Sequence, residues 1–193
     1  MPRSEIVSDP GEQLILVDSD DREIGTLPKR DCHVGDGILH RAFSVFLFNH
    51  DGEVLLQRRS AEKPLWPLYW SNACCSHPRV GEAVEAAARR RLKEELGVSC
   101  PLGFLYKFEY QARFEDVGAE CELCHVYLGI AGGPFDPNAS EIAELRFFAR
   151  AELTAGIAES PDEFTPWLRL EWPIVRNALD AAGGSVERVV SGS

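Results

Sequence analysis

The run Ser71-Asn72-Ala73-Cys74-Cys75-Ser76-His77-Pro78 sets a thiol and an imidazole two residues apart. On an extended backbone alternate side chains share a face, so Cys75 and His77 point together and Cys74 turns away. A reactive sulfur then sits beside a metal ligand. Downstream, Glu120-Cys121-Glu122-Leu123-Cys124-His125 does the same with carboxylates. Read as a strand, it presents Glu120, Glu122 and Cys124 on one face and Cys121, Leu123 and His125 on the other. Two converging carboxylates suit metal ligation or acid/base chemistry. Upstream, His33 and His40 bracket a glycine-containing turn, so a His/His/His/Glu/Glu set is available from three segments.

Such groups need a sheet to hold them. Residues 13–17 read as a strand ending at Asp18-Ser19-Asp20-Asp21, and Phe43 to Phe48 with Val54 to Gln57 flank an Asn-His-Asp-Gly hairpin tip. His50 belongs to that exposed turn and is left out of the metal set. Glu82 to Leu96 has helix composition, with Gly97 as its stop. Tyr106 to Ala112 and Glu120 to Ile130 are two strands joined by an acidic turn. A Gly/Pro loop (Gly132 to Pro137) leads to a strand around Ala143 to Phe148, and the remainder reads as helical, bent near Pro173. The expectation is one domain over residues 1–182 and a flexible tail over 183–193. Strands mixed with a central helix and a helical C-terminus favour an α/β sandwich over a parallel doubly wound sheet, and no glycine-rich dinucleotide fingerprint occurs.

A chain of 193 residues that is 45% hydrophobic is long enough for one well-buried domain. It has no long apolar run and a polar, acidic start, which supports neither a membrane span nor a signal peptide and points to the cytoplasm. The net charge of −11 argues against nucleic acid as a partner. It does not exclude a phosphorylated small molecule, because screening confines exposed charges to roughly 8–10 Å and a local cationic pocket can prevail. Six cysteines without an export signal read as reduced thiols. Cys121-x-x-Cys124 is a poor zinc knuckle or redox pair, since a strand sends those side chains to opposite faces.

Further residues complete an ordered set: Thr26-Leu27-Pro28-Lys29, His33, His40-Arg41-Ala42-Phe43-Ser44, Gln57-Arg58-Arg59, Lys63, Trp66-Pro67, Trp70-Ser71-Asn72, Cys75 and His77, Tyr110, Glu120-Cys121-Glu122 and Phe164-Thr165-Pro166-Trp167. In order and spacing, from about Leu14 to about Leu170, this set resembles the type 1 isopentenyl diphosphate isomerases. The resemblance implies a Nudix-type α/β/α sandwich with a mixed sheet. The helix carries a box similar to the Nudix signature, running Ser76, Glu82, Arg90, Arg91, Leu92, Lys93, Glu94, Glu95, Leu96, Gly97 and Val98, with two departures. Ser76 stands for a glycine. Arg91 stands for a glutamate, which reverses the charge where the hydrolases hold metal and suits an enzyme that keeps its diphosphate, since arginine grips phosphate oxygens bidentately.

By resemblance, Lys29, Arg59, Lys63 and Arg91 meet the diphosphate of a small isoprenoid substrate, and Glu95 helps hold Mg²⁺ against it. His33, His40, His77, Glu120 and Glu122 bind a second divalent ion, Mn²⁺, Mg²⁺ or Zn²⁺. The implied reaction moves a double bond through a tertiary cation, so an acid and a base must flank the alkene with water excluded. Glu122, helped by Tyr110, delivers one proton, Cys75 removes the other, and Trp167 faces the cation, an interaction of roughly 0.5–2 kcal/mol. A monomer or weak oligomer is expected. Two rivals remain: a Nudix diphosphate hydrolase using Glu82, Glu94 and Glu95, and a non-catalytic metal or thiol-redox binding protein.

Overall fold

The computed structural model describes residues 3–192 and is built around one strand, β3 (His40–Phe48), whose apolar run is buried along almost its whole length. That is the pattern of a strand covered on both faces. It pairs antiparallel with β1 (Gln13–Val17), β4 (Val54–Arg59) and β6 (Cys74–Ser76), and parallel with β8 (Gly118–Ile130). Strand β2 (Glu23–Pro28) extends β1. Strands β5 (Trp70–Asn72) and β9 (Ile142–Phe148) add to β4, and β7 (Leu102–Phe114) lies outside β8. One parallel pair among antiparallel neighbours makes the nine-stranded sheet mixed.

Parallel neighbours require a long connection. Here it contains helix α2 (Val84–Leu96), whose Ala87, Ala88, Leu92 and Leu96 pack on Phe43, Val45 and Leu47. The alternate residues Phe46 and Phe48 face the other way. They meet Leu153 of α3 (Arg150–Glu159), Leu168, Trp172, Val175 and Leu179 of α4 (Pro166–Ala181), and Val186 of α5 (Val186–Ser191). Helices on both faces of a mixed sheet form the expected α/β/α sandwich. A smaller cluster of Ala42, Tyr110, Cys124 and Trp167 continues the second layer towards one end of the sheet. The site lies there.

Three details differ from the sequence reading. Helix α2 starts at Val84 rather than Glu82, because the Glu82 carboxylate accepts from the Arg79 backbone N–H at 2.9 Å and closes the preceding turn. Helix α4 runs unbroken through Pro173. Beyond Ala182 the chain forms α5 instead of a frayed end. Ser185 caps it by accepting from the Arg188 N–H, and Gly103 on β7, where a Cβ would collide with the Val190 backbone, gives it a seat. Strand β2, the short strands β5 and β6 and α1 (Lys29–Cys32) went unpredicted, while α3 falls in the stretch read as helical.

Candidate active site

Strand register assembles the site. His40 opposes Glu122 in the β3–β8 pair, Tyr110 opposes Glu122 from β7, and Cys75 opposes Ser44 in the β3–β6 pair. His33 follows α1 and is pinned through its carbonyl, which accepts from the Ala119 N–H at 3.0 Å. Gly118 permits this approach, since a Cβ there would run into the His33 oxygen.

Ligand atoms of His33, His40, His77 and Glu120 all lie within 4.8 Å of one another. His40 Nδ1–H donates to the Ile38 carbonyl at 2.7 Å, which turns its Nε2 lone pair inward, 3.1 Å from His77 Nε2. Glu122 Oε1 is 3.1 Å from His77 Nε2 and 3.7 Å from His40 Nε2. His33 Nε2 and Glu120 Oε2 are 2.8 Å apart, yet both are buried and neither makes a well-formed hydrogen bond. Such atoms aim at a shared point rather than at each other. Burial holds His40 at about 4 and His77 well below the usual imidazole value, so both rings are neutral donors. Burial pushes Glu120 up, but the adjacent His33 ring more than offsets it and holds the carboxyl at about 2. Neutral imidazoles and an ionised carboxylate are ligand states a divalent ion requires, so His40, His77 and Glu120 fit one.

The Tyr110 hydroxyl donates to Glu122 Oε2 at 2.6 Å, so one oxygen of Glu122 faces the imidazoles and the other a phenol. Burial, then Glu120, push Glu122 well above the usual carboxyl range, which favours its protonated form. Cys75 donates to Asn72 Oδ1 at 2.7 Å. The Asn72 amide is oriented by two donations of its own, to the Val45 and Cys74 carbonyls at 3.1 Å each. Burial and the Glu171 carboxyl push the Cys75 thiol up, while Ser44 and Arg59 favour its charged form. Trp167 donates from Nε1 to Ser71 Oγ at 2.9 Å, which fixes its ring, and the Arg59 guanidinium sits 5.2 Å above the indole.

A narrow cavity of about 40 Å³ brings Cys75, His77, Tyr110, Glu120, Glu122 and Trp167 to one wall system with Lys29, Arg59 and Lys63. A larger hollow of about 450 Å³, under the N-terminal segment between Val7, Glu12, Arg79 and Glu94, contains none of the acid/base groups. Arg91 is not on the small cavity's wall. The residue is 2% exposed, and its guanidinium is held by Glu95 at 2.6 Å, by Glu141 at 3.6 Å and by the Val7 carbonyl. Glu95 belongs to this ion-pair cluster and not to the imidazole group.

The NUDIX domain family model matches residues 38–168. The chain is 41% identical to the Isopentenyl-diphosphate Delta-isomerase 1 of Photorhabdus laumondii, over 88% of this chain and 98% of that protein. It is 46% identical to the Isopentenyl-diphosphate Delta-isomerase of Nocardia farcinica, over 79% of this chain and 88% of that one. The chain belongs to the Nudix-fold isopentenyl-diphosphate Delta-isomerase family. Solved structures support the fold of this family member: a Deinococcus radiodurans protein superposes with a TM-score of 0.70 at 23% identity, covering 84% of this chain and 98% of that one. The MutT protein of Methanosarcina mazei does so with a TM-score of 0.60 at 13% identity, over 72% and 94% of the two chains.

Sequence reasoning missed Glu141 and Glu171, which the isomerase-family chain places around the site, and gave Asn72 no role of its own. Glu141, 4% exposed, pairs with Lys63 and reaches Arg91. Asn72 orients the Cys75 thiol. Glu171, fully buried on α4, lies one helical turn after Trp167. For Glu171 a signal existed: a glutamate on the apolar face of an amphipathic helix, four residues from an aromatic.

Proposed function

We propose that this enzyme interconverts isopentenyl diphosphate and dimethylallyl diphosphate by protonation and deprotonation through a tertiary carbocation. The observation that carries this reading is one small cavity with a carboxyl–phenol pair, Glu122 and Tyr110, and a thiol, Cys75, on its walls and with Lys29, Arg59 and Lys63 among its lining. The cations hold the diphosphate. Glu122, aided by Tyr110, gives a proton to the terminal alkene carbon and Cys75 takes one from C2; the roles exchange in the back reaction. Trp167 supplies an aromatic face to the cation, and the tight enclosure keeps out water that would trap it as an alcohol.

His33, His40, His77, Glu120 and Glu122 would hold one divalent ion, Mn²⁺, Mg²⁺ or Zn²⁺, and Glu95 would help hold Mg²⁺ brought with the diphosphate. Bound ions add positive charge that orients Glu122 and neutralises phosphate oxygens. The hydrolase alternative is disfavoured by the helix. Glu82 is gripped by Arg90 through two bonds of 2.8 Å, and Arg91 occupies a position that hydrolysis needs as a carboxylate. The same reading places the enzyme in the cytoplasm as a monomer or weak oligomer acting on a diffusing small molecule. No helix among the described residues is long and apolar enough to cross a membrane. The test is incubation with isopentenyl diphosphate, Mg²⁺ and Mn²⁺, measuring acid-labile allylic diphosphate and free phosphate. Allylic product without phosphate supports the isomerase, and phosphate release would replace it with the hydrolase.

A further inference from the structure

The three-residue strand β5 supports two walls of the cavity that must meet the carbon skeleton. On one side the Trp70 carbonyl accepts from the Thr165 N–H at 2.9 Å and Trp70 bridges to Phe164, which seats the start of α4 and with it Trp167. On the other side Asn72 Oδ1 accepts the Cys75 thiol hydrogen at 2.7 Å. Between them lies Ser71, wholly buried. Its Oγ accepts from Trp167 Nε1 at 2.9 Å and from the Thr165 hydroxyl at 3.3 Å, and it donates its one hydrogen to Asn72 Oδ1 at 3.1 Å. A continuous line of hydrogen bonds therefore runs from the indole to the thiol.

The count of hydrogens fixes the direction of every link. Asn72 gives both amide hydrogens to the Val45 and Cys74 carbonyls at 3.1 Å each, and turning the amide over would set its oxygen against those two oxygens. Its Oδ1 therefore stays on the side of Ser71 and Cys75, where two donors occupy it. Trp167 has one polar side-chain atom, and Ser71 holds it. The other neighbours of the indole, Trp66 edge-on at 5.3 Å and the Arg59 guanidinium at 5.2 Å, pack the ring but do not set where its nitrogen points. We propose that Ser71 is a positioning residue that couples Trp167 to Cys75: one hydroxyl fixes the turn of the indole and, through Asn72, the direction of the thiol, so that the aromatic face and the base address the same substrate carbons. This rests on the isomerase reading above. Groups on separate elements raise a rate only while held in mutual register, and a misplacement of about 1 Å can cost on the order of 10²-fold. A serine kept for packing alone would affect stability and leave turnover intact.

The experiment measures kcat, KM and Tm for the unsubstituted enzyme, Ser71→Ala, Trp167→Phe and the Ser71→Ala/Trp167→Phe double variant, and follows the indole N–H resonances of these and of Asn72→Ala by nitrogen-15 NMR. The Trp167 resonance is the one that vanishes in Trp167→Phe. Ser71→Ala lowers kcat about tenfold with KM within about twofold, because the cations that hold the diphosphate are untouched. Phenylalanine keeps an aromatic face but has no N–H to give, so in the Trp167→Phe background Ser71→Ala costs no more than about threefold. The Trp167 resonance moves in Ser71→Ala and also, through the Ser71 hydrogen, in Asn72→Ala, where no atom bonded to the indole has changed. A kcat within about twofold of the unsubstituted enzyme in Ser71→Ala, with or without a lowered Tm, would return Ser71 to packing and overturn the inference. Losses that multiply in full in the double variant, or a Trp167 resonance unmoved in Asn72→Ala, would overturn it as well. If Ser71→Ala does not fold, the resonance in Asn72→Ala decides. An unsubstituted protein that makes no allylic product removes the isomerase reading and this role with it, whereas allylic product with an unmoved resonance removes the inference alone.

Discussion

Glu122 serves two neighbours at once, with one oxygen toward the imidazoles and the other on the Tyr110 hydroxyl. An amide of the same shape fits the space but cannot carry the proton. Glu122→Gln and Cys75→Ala are each expected to lower turnover by roughly 10²–10⁴-fold, the range for a lost acid or base, with circular dichroism unchanged. Near-normal turnover in either would remove that residue from the mechanism. Lys29 gives a prediction that depends on pH. Burial, then the neighbouring Lys63 and Arg91 charges, lower its ammonium to about 8, and its Nζ donates to Ser8 Oγ at 2.6 Å. Below that value the charge is present for a diphosphate, and above it the charge is lost. KM should therefore rise roughly tenfold between pH 7 and pH 9, the worth of a charge-assisted hydrogen bond, whereas Lys29→Met should have a high KM that is flat over the same range. At this scale the sequence was informative where side chains alternate: Cys75 and His77, and Glu120 and Glu122, share faces as a strand demands. It was uninformative about Arg91, because an arginine aligned for phosphate reads the same whether it is open to the cavity or locked onto Glu95.

Elements position these groups through backbone fit. Gly118 opens β8 at the point where the His33 carbonyl crosses it. Gly118→Ala should push the His33 segment away and weaken Mn²⁺ binding by about tenfold or more, as displaced ligand shells do, which isothermal titration would detect. Unchanged affinity would show that His33 does not need this seat. The spine strand and its partners were legible because long apolar runs and an Asp-Gly tip carry their own signal. The three-residue strands β5 and β6 were not, since so short a run holds too little pattern and only pairing with β4 and β3 makes them strands. The same holds for α5, whose short, glycine-flanked sequence reads as a tail until the bare surface of Gly103 receives it. Glu171 lay hidden for a related reason: helix periodicity gives its face, but only the packing of α4 on β3 and β8 says that this face meets two thiols.

For the whole molecule, the charge of −11 and the cationic cavity coexist because the positive groups are gathered and half-buried while the carboxylates are spread. An ion that binds the folded chain and not the unfolded one stabilises it by mass action. Mn²⁺ at about a hundred times its dissociation constant adds roughly 2.7 kcal/mol, or on the order of 5–10 °C in Tm for a domain of this size, and a chelator should reverse the shift. A Tm indifferent to the ion would argue that the His/Glu group does not hold it. His33, His40, His77, Glu120 and Glu122 come from three separated segments, and the β3–β8 pairing that sets His40 opposite Glu122 helps bring them together. During synthesis on a ribosome the three histidines emerge long before the carboxylates that complete the set. An ion held by this set would therefore arrive late in folding, and a chain whose strands align one rung out of step would have no place for it to enter.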